Sequence, residues 1–189
     1  MFSHHAIASG LEALGLGLDR PWAPTFAIAF GWTLLMLAYS PIADYLASRW
    51  VAERPRLEAF RRLQHGLPQL IAGVVIAWAL GAFLEEFVFR ALILRSLRAV
   101  LAAWLPAPAA ISMAVALAAL GAGAAHVYQG ARGVVIITQL SVLFGALYVI
   151  SGYNFWAVAL CHGFYDTIAF VRFAFGYSKY ARADRPAHE

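Results

Sequence analysis

Four stretches of this chain, residues 21–43, 66–84, 99–131 and 133–165, contain no Asp, Glu, Lys or Arg. A helix needs about 20 residues to cross about 30 Å of hydrocarbon, so each run is long enough to span a membrane. The rest of the composition agrees: 62% of residues are hydrophobic, 13% are charged, and the mean hydropathy is +0.71. That lies outside the range of soluble globular chains. The expected fold is an all-α, polytopic transmembrane helical bundle, and 189 residues leave room for one integral membrane domain, 1–189, and no separate soluble one.

Within these runs, breaks and charges set the organisation. The first run lacks the basic cluster and cleavage pattern of a signal peptide and is expected to remain as an anchor. After Leu84 the apolar residues Phe83, Phe87, Ile93 and Leu97 keep a helical spacing until Pro106 and Pro108 force a break. Further spans are expected at about 109–127, 134–150 and 155–174. The count comes to about six membrane helices, with a short interfacial helix in residues 1–20. Between the first two spans, Arg49, Arg54, Arg56, Arg61 and Arg62 mark a cytoplasmic loop by the positive-inside bias, divided by Pro55. Arg95 and Arg98 are read as lying near a cytoplasmic edge. Alternation of six spans then puts the basic tail (Lys179, Arg182, Arg185) opposite the arginine loop, against the charge rule, so one span is expected to be re-entrant or miscounted. The pI near 9.5 does not call for nucleic acid. The basic residues flank apolar spans, where lipid headgroups account for them. A single cysteine, Cys161, excludes an internal disulfide and reads as a packing residue.

Ionisable groups at bilayer depth cost about 2.5 to 3.5 kcal/mol each on insertion scales, so those that persist face a bundle interior and are functional candidates. They are Glu85, Glu86 and Arg90 in EEFVFR, His126 in HVYQG, and His162 with Asp166 in CHGFYD. Glu86 and Arg90 are four apart and can neutralise each other, which leaves Glu85, about 100° around the helix, free to act as a base. His162 and Asp166 are also four apart, a spacing at which a carboxylate orients an imidazole. The small residues LGAGAA before His126 let another helix pack closely. Taken singly, each group has a plain explanation: a charge cluster at a helix end, a histidine beside a turn, a helix-stabilising pair. Together they point to a shared cavity, because only there do three separate helices carry such groups cheaply.

At these residues the chain resembles the CPBP family of intramembrane proteases, also called the abortive-infection family, which includes the type II CAAX prenyl endopeptidases. The resemblance rests on EEFVFR, HVYQG and CHGFYD in that order and covers a protease-like core of about 67–175. It implies hydrolysis of a peptide bond in or near the membrane. Carried over by position, Glu85 activates a water with help from His126, His162 and Asp166 hold the substrate carbonyl or the oxyanion, and Glu86 and Arg90 brace the site from behind. Two departures stand out. Ala122 occupies the phenylalanine position of the usual FxxxH, and Asp166 replaces the asparagine of prenyl-protein members.

The implied partners are the lipid bilayer and a membrane peptide or protein substrate, lipidated or not, in a bacterial inner membrane. Two chemistries fit the trio Glu85, His126 and His162: a zinc site with an open position for water, or direct action on water without metal. Two other functions would also bury such groups, a catalytically silent scaffold or immunity factor and a proton-coupled carrier.

Overall fold

The computed structural model describes residues 12, 15–18, 20–178 and 180, and every regular element among them is helical. Helix α1 covers Trp22–Trp50. Residues 51–57, with Pro55, carry no helix, and a 3-10 segment follows at Glu58–His65. Helix α2 runs without interruption over Leu67–Leu101, entered through a proline in its first turn. Helices α3 (Ala107–Ala125), α4 (Gly130–Ile150) and α5 (Phe155–Ala174) complete the bundle. The α5 start is capped by Asn154, whose side chain accepts from the backbone N–H of Trp156 and Ala157.

The bundle is inside-out relative to a soluble protein. Phe26, Phe30, Leu34 and Ile42 on α1 and Ile71, Val75 and Leu80 on α2 are exposed. The small core gathers around Met36, Leu94, Leu147, Tyr148, Phe155 and Val158. Among the described residues, four helices are long and apolar enough to cross a membrane: Trp22–Trp50, Leu67–Leu101, Ala107–Ala125 and Val127–Ile150. This is an integral membrane protein.

The all-α bundle is as expected, and the helical spacing that continues past Leu84 belongs to one helix, α2. Charges at 85–98 interrupt the apolar run, but the helix continues through them and is 35 residues long. Its first half lies against α5, where Trp78 Nε1 donates to Thr167 Oγ1 at 3.0 Å, and its second half against α3, where Phe89 meets Gly121. The expected N-terminal helix, in residues 1–20, falls mostly outside the described residues.

Five helices in alternation also revise the topology. The C-terminus of α1, the arginine-rich segment, the α3–α4 connection and the end of α5 all meet at one end, called here the arginine end. Arg56 N donates to Gln129 O at 2.9 Å, Arg132 reaches Asp44 at 2.7 Å, and Tyr180 lies on Asp44 as well. The chain beyond α5 therefore leaves on the same side as the arginine loop, not opposite it. Arg95 and Arg98 are at the other end. There Arg95 Nη1 is 3.4 Å from the Tyr148 hydroxyl, and Arg98 lies 4.9 Å above the Tyr153 ring.

Candidate active site

The motif EEFVFR sits in a section of α2 that is not ordinary α-helix. Residues Ala77–Glu85 and Phe87–Leu94 form wide π-helical turns on either side of Glu86. Such turns are rare and concentrate at functional sites. They change the angular spacing assumed for an α-helix, yet Glu86 and Arg90 still meet. Arg90 Nε lies 3.0 Å from Glu86 Oε2, with both side chains buried. No hydrogen bond is directed at that oxygen among the described residues, so the attraction is coulombic and off the N–H axis. Arg90 Nη2 turns instead to α4, donating to Ser141 Oγ at 2.7 Å and to the Ser141 carbonyl at 3.1 Å.

The other Glu86 oxygen, Oε1, is 2.6 Å from His162 Nδ1 on α5. A carboxylate only accepts, so Nδ1 carries the proton of this bond. The opposite ring nitrogen, Nε2, is 3.4 Å from Asp166 Oδ2, one turn further along α5. One ring face stacks on Phe144 of α4 at 4.6 Å, and the same phenyl ring lies 5.4 Å beneath the Arg90 guanidinium. Gly81 provides the space opposite: a Cβ there would come within 3.1 Å of Asp166 Oδ2 and 3.5 Å of His162 Nε2.

His126 caps the C-terminus of α3. Its Nδ1 donates to the Ala122 carbonyl at 2.8 Å, which turns Nε2 toward Glu85 Oε1 at 3.7 Å. Helix α3 can come this close to α4 because of its small residues; a Cβ on Gly123 would collide with Thr138. Ala122, where the family pattern has phenylalanine, is buried. The aromatic wall of the site comes from Phe144 and Tyr165, which stand edge to face at 6.5 Å.

Glu85, Arg90, His126, His162 and Asp166 thus line one cavity of about 790 Å³, and Glu86 lies buried behind it. The remaining wall is mostly apolar, with Phe60, Leu63, Ile76, Phe170 and Phe173 toward the arginine end. Sequence reasoning missed two members of the cluster, Ser141 and Phe144, and one contact. The Glu86–His162 contact joins residues on different helices. Ser141 had a signal, a polar residue mid-span, whereas Phe144 is one phenylalanine among 13.

A zinc ion would need Glu85, His126 and His162 to turn free donor atoms to one point. The bond of His162 Nδ1 to Glu86 leaves Nε2 as the one nitrogen able to bind a metal, and it lies 3.4 Å from Asp166 Oδ2. Among the described residues, no three His, Cys, Asp or Glu side chains are grouped as a metal site. Glu85, His126 and His162, one of whose two expected chemistries is a zinc site, are not grouped as one among the described residues.

A family profile described as Type II CAAX prenyl endopeptidase Rce1-like matches residues 67–168, more than half of the 189. The chain belongs to this family. No curated protein and no solved structure matches it. The Rce1-like family is a family of proteases, and the matched segment contains every side chain of the polar cluster, from Glu85 to Asp166.

Proposed function

We propose that this Rce1-like protein is an intramembrane endopeptidase that hydrolyses a peptide bond in a membrane-associated protein or peptide. One observation carries the reading: Glu85 Oε1 and His126 Nε2, the ring nitrogen left over from the bond of Nδ1 to Ala122, face each other at 3.7 Å inside the cavity. Two acceptors at that distance do not bond directly, but a water placed between them donates to both. Glu85 then takes the proton as the water oxygen attacks the scissile carbonyl, and His126 holds the water's orientation. His162 is fixed from behind by Glu86, and its Nε2 is too far from Asp166 for a short hydrogen bond. Because Nδ1 already gives its proton to Glu86, Nε2 donates to the carbonyl oxygen, as negative charge develops there, from the doubly protonated ring lying between the Glu86 and Asp166 carboxylates. Asp166 steers the ring and the substrate amide.

The long apolar wall suits either a lipidated chain terminus or an unmodified hydrophobic peptide segment as substrate. The motifs HVYQG and HGFYD, similar to those of bacterial members, support a bacterial inner membrane, with the arginine end cytoplasmic by its excess of positive charge.

The test compares membrane peptides from cells carrying the wild type and Glu85→Gln at equal expression. New peptide C-termini present only with the wild type are expected. Identical peptide sets, with both proteins folded, would overturn the endopeptidase and leave the scaffold role; proton-linked transport lost in the variant would indicate a carrier.

A further inference from the structure

The end of the bundle opposite the arginine end carries positive charge that the cavity does not use. Helix α2 has 35 residues and is about 50 Å long at about 1.5 Å per residue, against about 30 Å of hydrocarbon. Its last turns therefore reach the headgroup layer. Tryptophan collects at that depth, and here Trp104, just after α2, is 83% exposed, while Trp22 is exposed at the start of α1. Arg95 and Arg98, one turn apart on α2, meet around a single ring: their guanidinium carbons lie 5.4 and 4.9 Å from the centre of Tyr153. That ring is a fixed platform between α4 and α5. The Tyr153 N–H donates to the Tyr148 carbonyl at 2.8 Å, and the Tyr148 ring stands edge to face with it at 5.4 Å. Arg20 adds a third positive charge near Tyr148.

Like charges held around one ring repel each other, and a ring face offsets them only through its quadrupole. No carboxylate pairs with Arg95 or Arg98 among the described residues; the carboxylates of the ion pairs there are Asp44, Glu85, Glu86 and Asp166. Glu12, at the same end, lies in a surface hollow with Arg20 instead. Arg95 turns one N–H toward the Tyr148 hydroxyl, at 3.4 Å, and Arg98 is exposed. Most of their ten N–H donors are left for another acceptor.

We propose that Arg95 and Arg98, held on the Tyr153 ring, bind the phosphate of an anionic phospholipid in the leaflet at this end. Two planar guanidiniums present forked N–H groups that match phosphate oxygens. The depth is that of lipid phosphate, and exposed Val100 and Trp104 nearby give the acyl chains an apolar surface. A zwitterionic lipid carries its own cation beside the phosphate, so the preference is for a headgroup without one. The bound phosphate would tie the end of α2 to the α4–α5 turn that carries Tyr153. Arg95, Arg98 and Tyr153 do not line the cavity, so the site does not depend on the endopeptidase reading.

Native mass spectrometry of the detergent-purified chain, titrated with phosphatidylglycerol or phosphatidylcholine, measures the site. The wild type is expected to hold its first phosphatidylglycerol about tenfold more tightly than phosphatidylcholine, the scale of one charge-assisted hydrogen bond. Arg95→Gln combined with Arg98→Gln should remove that preference. Arg49→Gln combined with Arg54→Gln takes the same charge from exposed residues of the arginine end and should leave it intact. Tyr153→Phe keeps the ring and should bind as the wild type does, whereas Tyr153→Ala should bind several-fold more weakly. Should the Arg95 change prevent folding, the exposed Arg98→Gln decides alone, with a several-fold loss expected. Excess inorganic phosphate should not displace the lipid, because it lacks the acyl chains; displacement would make a free anion the occupant and overturn the lipid. An unchanged preference in the Arg98 variants, an equal loss in the arginine-end control, or equal binding of the two lipids by the wild type would overturn the site.

Discussion

The carboxylate of Glu86 joins Arg90 on its own helix to His162 on another, with 3.0 Å on one oxygen and 2.6 Å on the other. A buried acid shared in this way does two things. It balances a buried guanidinium, and it fixes the tautomer and plane of an imidazole one helix away. The stability of the bundle and the aim of His162 therefore depend on the same side chain.

Arg90→Ala is expected to destabilise the folded protein by about 3–5 kcal/mol, because Glu86 stays buried without its cation. Arg90→Lys should recover only part of this, since an ammonium cannot reach Glu86 and both Ser141 acceptors in the guanidinium's geometry. Thermal melts and folded yield in detergent measure both. Normal stability with complete loss of cleavage would instead place Arg90 in contact with substrate.

Glu85→Gln should behave in the opposite way. The Glu85 side chain is 33% exposed, with His126 Nε2 at 3.7 Å. The substitution keeps its shape, so the stability change is expected to stay below about 1 kcal/mol while hydrolysis is lost. A melt lowered as far as that of Arg90→Ala would make Glu85 a structural residue.

Much of this architecture could be read in advance, for reasons that also explain what could not. The α5 bounds, 155–174, follow from the turn at Asn154 and the apolar run after it. The pairing of Glu86 with Arg90 follows from helical spacing. The helical spacing of Phe83, Phe87, Ile93 and Leu97 carries α2 through its charge cluster, whereas the side on which the tail leaves depends on how all the helices pack. The π-helical turns around Glu86 have no local sequence signature, since Phe, Val, Leu and Ala suit either winding. The Glu86–His162 contact crosses 76 positions and depends on how far α5 slides along α2, which no periodicity encodes.

Cys161→Ser is expected to leave cleavage intact and lower stability by about 1 kcal/mol. The thiol is fully buried, 3.5 Å from the Thr33 hydroxyl and 3.8 Å from the Met36 sulfur. A serine hydroxyl there finds Thr33 as a partner but replaces an apolar contact with Met36. Activity assays and melts of the variant check both statements, and lost cleavage would give Cys161 a chemical role that its position does not suggest.

Gly163→Ala is expected to cost about 1–3 kcal/mol through overpacking. A Cβ at this position would lie 2.6 Å from three ring atoms of Trp78, and that ring is held by the bond from its Nε1 to Thr167. A second substitution, Trp78→Phe, removes the clash and should restore part of the loss. Failure of the double variant to recover any stability would locate the cost in the α5 backbone.

Gly81→Ala separates packing from chemistry most sharply. The new methyl group would meet Asp166 Oδ2 at 3.1 Å and His162 Nε2 at 3.5 Å, close enough to displace the carboxylate by a few tenths of an ångström. Asp166 is 22% exposed and has room to yield, and alanine is a better helix former than glycine by up to about 1 kcal/mol, so the melt should be unchanged or slightly raised. Cleavage should nevertheless fall by about tenfold to a hundredfold, because the methyl group occupies the space where the substrate carbonyl would face His162 Nε2. The measurement is the cleavage rate of a peptide found in the wild-type comparison, beside the melting temperature of the same preparation. Full activity in Gly81→Ala would mean that the carbonyl approaches from another side of the cavity, and the role given to His162 Nε2 would have to be withdrawn.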